Sequence, residues 1–253
     1  MQLGCHEVRL YATRTGQYFL PDAPTDVVAK AIRQGRTFDS HVVKAASRHI
    51  RKGSTVLDVG ACYGQMSILF SRMVGPSGTV IAIEASPFQA ELTRRNLLIN
   101  GVTNITLIDR PVWHTPGVLV RYPKPDFTIF GSYGSFGIDP IAQASDCAWD
   151  LTTTTIDSIT IPSPLSLMKV DIQGSDLNAL LGARETIAAH RPTIVFEYEA
   201  LCTERFGQSL DDYWRFVDAI GYKLVRTVGP SDYLITARER VARHRWWWLP
   251  GRS

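Results

Sequence analysis

The stretch VLDVGACYG, residues 56–64, places an acid at the end of an apolar run and follows it with two glycines. The Val and Leu residues predict a buried strand, in which an unpaired charge is costly. Glycine permits positive φ and lets the backbone pass close to a neighbour or a ligand. The stretch therefore predicts a core strand that runs into a ligand-binding turn, with Asp58, Gly60 and Gly64 around that turn.

The sequence on both sides of this stretch alternates between strand and helix patterns. Apolar runs such as TVIAIEA, SLMKVDI and TIVFEYE are separated by segments with helical periodicity. This alternation predicts an α/β fold, with a parallel sheet that is covered by helices on both faces. The last two runs, YKLVRTV and DYLITAR, are joined only by GPS, which is too short for a parallel crossover. A C-terminal antiparallel hairpin is therefore expected to close a mostly parallel sheet.

Two segments interrupt this pattern. Residues 1–52 read as a hairpin followed by two helices, and we expect them to form a lid on the acceptor side of the site. Residues 114–150 are rich in Gly, Pro, Ser and aromatic residues, and long excursions of this kind are usually functional or disordered. No linker divides the chain, so residues 53–253 are expected to form one domain that carries the 114–150 insertion.

The composition is that of an ordinary globular protein, with 253 residues, 45% of them hydrophobic, and a net charge of +3. This charge is too small to indicate nucleic-acid binding. The four cysteines are far apart and lack metal-ligand spacing, which favours free thiols in a reducing compartment. The N-terminus lacks the apolar core of a signal peptide, and no apolar run approaches the roughly 20 residues of a membrane span. A soluble, cytoplasmic protein is expected.

The acid that precedes the glycine turn restricts the class of ligand that the turn can bind. A dinucleotide-binding turn reads GxGxxG, which residues 60–64 do not match, and the preceding acid would repel a pyrophosphate. That acid suits a positive centre instead, such as the sulfonium of S-adenosylmethionine. The next strand ends at Glu84, where a carboxylate can accept hydrogen bonds from both ribose hydroxyls. Alone, Gly60 is consistent with a simple turn and Glu84 with a solvated strand end, but together they predict an S-adenosylmethionine site.

Several segments resemble the FkbM-type methyltransferases of the class I S-adenosylmethionine-dependent fold. VLDVGACYGQMS is similar to the family's DVGANxG, and LMKVDIQGSDLNALLGA to its liKiDvEGxExxvLxGa. VIAIEASPFQAELTRRNLLING, TTIDSI and RPTIVFEYE also resemble family segments. The resemblance covers about residues 53–199. It implies a Rossmann-like sheet, S-adenosylmethionine as the cofactor, and methyl transfer to a hydroxyl of a sugar or glycosylated natural product.

The resemblance also indicates which further residues contact the cofactor. These are Ala61, Ala85, Ser86, Val112 and Trp113. In this fold the adenine usually stacks at the turn that holds Val112 and Trp113, although a core position for Trp113 is equally consistent with the sequence.

Three positions depart from the family pattern. Cys62 stands where Asn is frequent, and Ala85 stands where Pro is usual. Gln173 stands where the family usually has Glu. This last change removes a carboxylate beside the expected reaction centre, and it puts any shared metal or acid role at that position in doubt.

Asp171 and Glu197 are the candidate catalytic residues. Each follows an apolar strand, so both are expected at the rim that holds Gly60. Asp171 would be partly desolvated, which suits a general base that takes the proton of an acceptor hydroxyl. The alternative is that Asp171 caps the helix beginning near Ser175. Glu197 is expected to hold the acceptor or, through its oxygens, a divalent metal, and the sequence does not decide whether a metal is needed.

Three other features have more than one interpretation. His114 is either a base or a loop residue, and we favour the loop. Residues 129–138, IFGSYGSFGI, read as a flap whose Tyr133 and Phe136 pack on a sugar ring or lipid, or as a surface hairpin. Trp246–Trp248 read as a membrane-surface anchor or, as we favour, as a segment that packs on the domain or in a homodimer.

Two other functions compete with O-methylation. A module that binds the cofactor without catalysis is supported by Cys62 and Gln173, and is opposed by the intact set of acids. A nucleic-acid methyltransferase would carry a D/N-P-P-aromatic motif after the fourth core strand, where this chain has DIQG. We rank both below transfer to a small hydroxyl acceptor.

Overall fold

The computed structural model describes residues 2–3, 6–124, 126, 131–138 and 147–239. The Trp246–Trp248 run and residues 129–130 of the Gly/Ser segment lie outside the described residues. The strands are β1 Gln2–Leu3, β2 His6–Thr13, β3 Gly16–Pro21, β4 Thr55–Val59, β5 Thr79–Ile83, β6 Ile105–Ile108, β7 Leu119–Pro123, β8 Ala148–Thr152, β9 Leu165–Val170, β10 Thr193–Glu197, β11 Tyr222–Thr227 and β12 Asp232–Ala237. The helices are α1 Val27–Arg33, α2 Ser40–Ala46, α3 Gln65–Val74, α4 Pro87–Ile99, α5 Asp176–Leu181, α6 Arg184–His190, α7 Ala200–Thr203 and α8 Leu210–Ala219.

Seven strands form the central sheet, in the order β11-β12-β10-β9-β4-β5-β6. Strands β6, β5, β4, β9 and β10 are parallel to one another, whereas β12 runs antiparallel to both β10 and β11. The predicted mostly parallel sheet with a C-terminal antiparallel hairpin is therefore confirmed. The short connection before β12 forces this reversal, because a parallel return needs a crossover of a dozen or more residues.

Helices cover both faces of this sheet, as predicted. Val56 of β4 lies in a buried cluster with residues of α2 and α3. Its neighbours Leu57 and Val59 lie in another cluster, with residues of α5, α6 and α8. Alternate side chains of a strand point to opposite faces, so β4 is buried on both sides. The longest helix among the described residues, α4, has 13 residues, and no described helix has the length and apolar character to cross a bilayer.

The N-terminal β2–β3 hairpin and the 114–150 insertion pack at the end of the central sheet where the carboxyl ends of the core strands lie. The β2–β3 hairpin is tied to α4, because Asn96 of α4 and its C-cap residue Asn100 bond to backbone groups of β3. Strand β7 of the 114–150 insertion forms a separate antiparallel pair with β8, which begins in the insertion and ends two residues beyond it. Tyr122 and Ile138 of the insertion share a buried cluster with α1. The two segments therefore meet beside the carboxyl ends of the core strands, while the boundary at residue 52 stays a prediction.

Candidate active site

A cavity of about 250 Å³ opens at the carboxyl ends of β4, β5, β9 and β10, where open α/β sheets bind ligands. Seven of the residues predicted for the site line it: Gly60, Ala61, Glu84, Ala85, Val112, Asp171 and Glu197. Four others do not line it: Asp58, Gly64, Ser86 and Trp113. The structure thus brings together the two predicted carboxylates and most of the predicted cofactor residues in one cavity.

Gly60 makes the turn after β4, and no other residue fits there. Its φ is +87°, and a Cβ atom would lie 1.9 Å from the carbonyl oxygen of Asp171. The amides of Gly60 and Ala61 both donate to the carbonyl of Ile83, at 2.9 and 3.0 Å, which ties the turn to the end of β5. Gly64 also has a positive φ, of +78°, and it precedes α3. The two glycines therefore serve backbone geometry at the turn.

Glu84 lies at the cavity rim with only 5% of its surface exposed. Its Oε2 accepts from the amide of Cys62 at 2.7 Å, and its Oε1 accepts from the amide of Ser86 at 2.9 Å. Burial raises the pKa of Glu84 to about 7, although the two amides favour the ionised form. Each carboxylate oxygen retains a lone pair for a ligand hydroxyl. Ser86 serves α4, because its hydroxyl accepts from the amide of Gln89.

Asp58 lies beneath the turn, fully buried and outside the cavity lining. Its Oδ2 accepts from the hydroxyl of Ser67 at 2.5 Å, and its Oδ1 is 3.5 Å from the Nζ of Lys169. Burial raises the pKa of Asp58, while the Lys169 charge and the Ser67 bond oppose this shift. In this structure the positive partner of Asp58 is therefore a side chain of the protein, and Asp58 supports the cavity floor from below.

Lys169 is the main feature of the site that the sequence reasoning missed. It is 4% exposed, yet it lines the cavity floor. Its Nζ donates to the carbonyl of Gly60 at 2.9 Å and is 3.4 Å from Oδ2 of Asp171. Burial by itself would lower the pKa of Lys169, but the nearby carboxylates raise it. The sequence contained a sign of this residue, because the strand segments in SLMKVDI and VLDVG each carry one charge, Lys169 and Asp58, among apolar residues. In the structure these two residues are register partners on the adjacent strands β9 and β4.

Asp171 and Glu197 lie at the ends of neighbouring strands, and the side-chain amide of Gln173 donates a hydrogen bond to each of them. The Nε2 of Gln173 donates to Oδ1 of Asp171 and to Oε2 of Glu197, both at 3.2 Å. Ser231 donates to the other oxygen of Glu197 at 3.3 Å. Burial, followed by the negative charge of Asp171, raises the pKa of Glu197. The N-cap residue of α5 is Ser175, and the Asp171 side chain contacts Gln173 and Lys169 instead, so the alternative role of Asp171 as a helix cap finds no support in the geometry.

The cavity has two differently built parts. The glycine-turn half consists of Gly60, Ala61, Glu84, Ala85 and Val112. The aromatic half consists of the apolar side chains Val27, Val28, Ile32, Phe38, Tyr122, Phe136 and Ile138. Asp39 lies at the edge of the aromatic half with a left-handed φ of +44°. Burial raises the pKa of Asp39 to about 6, and the charges of Asp171 and Asp232 add to this shift.

The aromatic half is held in place by Asp26, which is fully buried at the start of α1. Its Oδ1 accepts from the amide of Ala29 at 2.7 Å. Its Oδ2 accepts from the hydroxyl of Tyr63 and from the amide of Tyr133, both at 3.0 Å. Of the two aromatic residues predicted to face the acceptor, Phe136 lines the cavity, whereas Tyr133 is fully buried and anchors its segment.

The other predicted residues lie around the cavity. The Nδ1 of His114 is 3.1 Å from Oδ1 of Asn178, and His114 does not line the cavity, in agreement with a loop role. Trp113 packs against Phe206, with ring centroids 5.7 Å apart. Within the described residues, no three His, Cys, Asp or Glu side chains are placed to share a metal ion.

The sequence matches a known protein family and several curated relatives. The family described as "Methyltransferase FkbM domain" matches residues 58–224. A "Probable cobalt-precorrin-6B C(15)-methyltransferase (decarboxylating)" of Saccharolobus solfataricus is 31% identical over 161 residues, which are 60% of this chain and 78% of the relative.

Two solved structures can be superposed on much of this chain. The methyltransferase FkbM of Methylobacillus flagellatus KT has a TM-score of 0.48 and 17% identity, over 85% of this chain and 60% of that one. SMU.1697c of Streptococcus mutans, in complex with SAH, has a TM-score of 0.46 and 14% identity, over 78% of this chain and 94% of that one.

The residues of the glycine-turn half fit the cofactor of this family. The absence of a side chain at Gly60 leaves the turn close to the cavity, and Glu84 presents a buried carboxylate at the rim. These are the features that a nucleoside with two ribose hydroxyls requires. The chain belongs to the FkbM methyltransferase domain family and is an S-adenosylmethionine-dependent methyltransferase of the class I fold.

Proposed function

We propose that the protein is an O-methyltransferase that acts on a hydroxyl of a sugar or a glycosylated natural product. The observation that carries this proposal is that Asp171 and Glu197 line the same cavity as Gly60 and Glu84. A proton acceptor and a cofactor site must adjoin for such a transfer, because the acceptor oxygen has to lie in line with the methyl carbon and the leaving sulfur.

In this proposal the glycine-turn half holds the cofactor. Glu84, Ala85 and Val112 line this half. With the cofactor bound, Glu84 would accept hydrogen bonds from the ribose hydroxyls, and Ala85 and Val112 would contact the adenine. When bound, S-adenosylmethionine supplies an electrophilic methyl group on its sulfonium. Asp58 acts indirectly, because it neutralises Lys169 and so supports the carbonyl of Gly60 from below.

Asp171 takes the proton of the acceptor hydroxyl. The Nζ of Lys169 lies 3.4 Å from Oδ2 of Asp171 and holds this carboxylate at the cavity floor. The aromatic half presents Phe38, Tyr122 and Phe136 close to carboxylates. This combination suits a molecule with apolar faces and hydroxyl edges, as a sugar ring has, since aromatic side chains contact the faces and carboxylates bond to the hydroxyls.

Calorimetric titration tests the cofactor assignment. We expect heat of binding with S-adenosylmethionine and none with NAD. Glu84→Ala should weaken the affinity about 10- to 100-fold, since it removes hydrogen bonds to a charged group. Glu185→Ala, at an exposed position on α6, is the matched control and should bind normally. Absence of heat with S-adenosylmethionine in the unaltered protein would contradict the assignment.

Transfer of a labelled methyl group to a panel of glycosides tests the reaction. Asp171→Asn should retain cofactor binding and lose about 10²- to 10⁴-fold in turnover. Asp211→Asn, at an exposed position on α8, should leave turnover unchanged. Normal turnover of Asp171→Asn would overturn the base assignment, and a product methylated on carbon would overturn O-methylation. Cofactor binding without transfer to any acceptor would favour the non-catalytic alternative.

A further inference from the structure

Helix α4 carries a row of buried polar side chains on one face. Its members are Gln89, Thr93 and Asn96, whose spacing along the helix places them one above the other. Their exposed fractions are only 3%, 0% and 0%. Buried polar groups are costly unless they are hydrogen-bonded, so the partners of this polar row indicate what it does.

The polar row is bonded to the glycine turn. The Nε2 of Gln89 donates to Sγ of Cys62 at 3.0 Å, and the hydroxyl of Thr93 donates to the carbonyl of Cys62 at 2.6 Å. The Nδ2 of Asn96 donates to the carbonyl of the next residue, Tyr63, at 2.9 Å. A helical threonine can bond to a carbonyl of its own helix, but the hydroxyl of Thr93 is used on Cys62. Helix α4 thus fixes two successive residues of the turn.

Cys62 needs this support because its backbone is left-handed. Its φ is +53°, a conformation that residues with a side chain adopt rarely. In this conformation its amide donates to Oε2 of Glu84 at 2.7 Å. The other oxygen of Glu84, Oε1, accepts from the amide of Ser86, which is the N-cap residue of α4. Both oxygens of the predicted ribose acceptor are therefore oriented by backbone amides that α4 holds, one directly and one through Cys62.

We propose that Thr93 is a positioning residue for cofactor binding, which acts through Cys62 on Glu84. The inference rests on the proposed function, in which Glu84 accepts hydrogen bonds from the ribose hydroxyls. Thr93 is fully buried and does not line the cavity, so it would not contact the cofactor itself. Its hydroxyl holds the peptide that follows Cys62, and this stabilises the left-handed conformation in which the Cys62 amide reaches Glu84. Loss of the hydroxyl should leave this carboxylate less well oriented for the ribose.

The test is calorimetry with two ligands, S-adenosylhomocysteine and an analogue of it that lacks both ribose hydroxyls. The measured quantity is the ribose ratio, which is the dissociation constant of the analogue divided by that of S-adenosylhomocysteine. We expect a ribose ratio of about 10 to 100 in the unaltered protein, because the hydroxyls bond to a charged group, and Glu84→Ala should lower it to about one. Partial unfolding of a variant weakens the binding of both ligands equally, so the ratio reports the orientation of Glu84 and is independent of stability.

Thr93→Val removes the hydroxyl and keeps the shape of the side chain. It should lower the ribose ratio about 3- to 10-fold, which is the equivalent of one hydrogen bond. Thr93→Ser keeps the hydroxyl and should retain the ratio of the unaltered protein. Thr193→Val is the matched control, because Thr193 is also buried and its hydroxyl bonds to His49, at the end of β10 away from the cavity. It should leave the ratio unchanged.

Substitutions at Cys62 test the same link from the side of the turn. Cys62→Asn should retain the ribose ratio, because asparagine tolerates the left-handed conformation better than most residues with a side chain. Cys62→Val should lower the ratio about as much as Thr93→Val, because a β-branched side chain disfavours positive φ.

The outcomes separate the inference from the proposed function. Equal affinity of the unaltered protein for the two ligands, or a ribose ratio that Glu84→Ala does not lower, would contradict the ribose role of Glu84 and the inference with it. A ratio that Glu84→Ala abolishes and Thr93→Val leaves intact would overturn the inference alone. An equal loss in Thr93→Ser and Thr93→Val would also overturn it, since the hydroxyl would then not be responsible. A ratio that Thr93→Val lowers and Thr93→Ser retains would support it.

Discussion

The glycine-turn half and the aromatic half of the cavity differ in how far apart their parts lie in the sequence. The turn is built from the ends of two adjacent strands, and backbone amides hold its key acid, Glu84. The aromatic half joins α1 to the insertion through Asp26 and Tyr133, which are 107 residues apart. Backbone geometry therefore defines one half, and buried contacts between distant segments define the other.

This difference predicts that the two halves can be damaged separately. A change at the turn should affect cofactor binding and folding together, because the turn also packs against the end of β9. A change at the Asp26 contacts should loosen the acceptor side and leave the cofactor side intact. Of the three substitutions below, given in order of expected effect, the first two test this separation and the third tests the buried charge at the edge of the aromatic half.

Gly60→Ala is expected to have the largest effect. The added Cβ would overlap the carbonyl oxygen of Asp171, and φ is positive, so we expect a loss of about 3 kcal/mol or more in the free energy of unfolding. Gly35→Ala is the matched control, because its φ is +70° but nothing lies within 4 Å of the added atom. It should cost about 1 kcal/mol. Equal losses in urea unfolding of the two variants would show that the close contact at Gly60 is unimportant.

Asp26→Ser should have an intermediate effect that is confined to the aromatic half. Serine can still cap α1, but it cannot bridge to Tyr63 and Tyr133, so we expect a loss of about 2 kcal/mol. Cofactor affinity measured by calorimetry should change less than about twofold, and proteolysis within the insertion should accelerate. Asp22→Ser, at a surface ion pair with Arg9, is the control. A large loss of cofactor affinity in Asp26→Ser would contradict the separation of the two halves.

Asp39→Asn should have the smallest effect, and its sign should depend on pH. The pKa of Asp39 rises from 3.8 to about 6 on folding, so the folded state binds this proton more tightly. The stability of the unaltered protein therefore falls as pH increases through this range, and it stays reduced above it. Asparagine removes this dependence.

The difference in free energy of unfolding between Asp39→Asn and the unaltered protein should shift in favour of the variant between pH 4 and pH 8. We expect this shift to be about 1 kcal/mol after allowance for solvent screening. Urea unfolding at the two pH values measures this difference. Asp211→Asn, at an exposed position on α8, is the control and should show no such gain. The same relative stability of Asp39→Asn at both pH values would show that folding does not raise the pKa of Asp39.

Much of the fold was predictable because its signals are short-range. Apolar runs and helical periodicities located the core strands, and the short link before β12 required an antiparallel hairpin. The glycine turn and Glu84 were predictable for the same reason, since the carboxyl ends of adjacent parallel strands meet at one edge of the sheet. Asp171 and Glu197 followed from that rule as well, and both line the cavity.

The partners of these residues were decided only by the tertiary structure. The sequence marks Asp58 as unusual, but the adjacency of β4 and β9 pairs it with Lys169 and places it below the cavity. Gln173 is a departure from the family pattern in sequence, and in three dimensions it is the bridge between Asp171 and Glu197. The sequence alone thus determined which segments form strands, helices and turns, since these depend on neighbouring residues. Which charges meet in the interior depends on the packing of distant segments, and no local pattern encodes it.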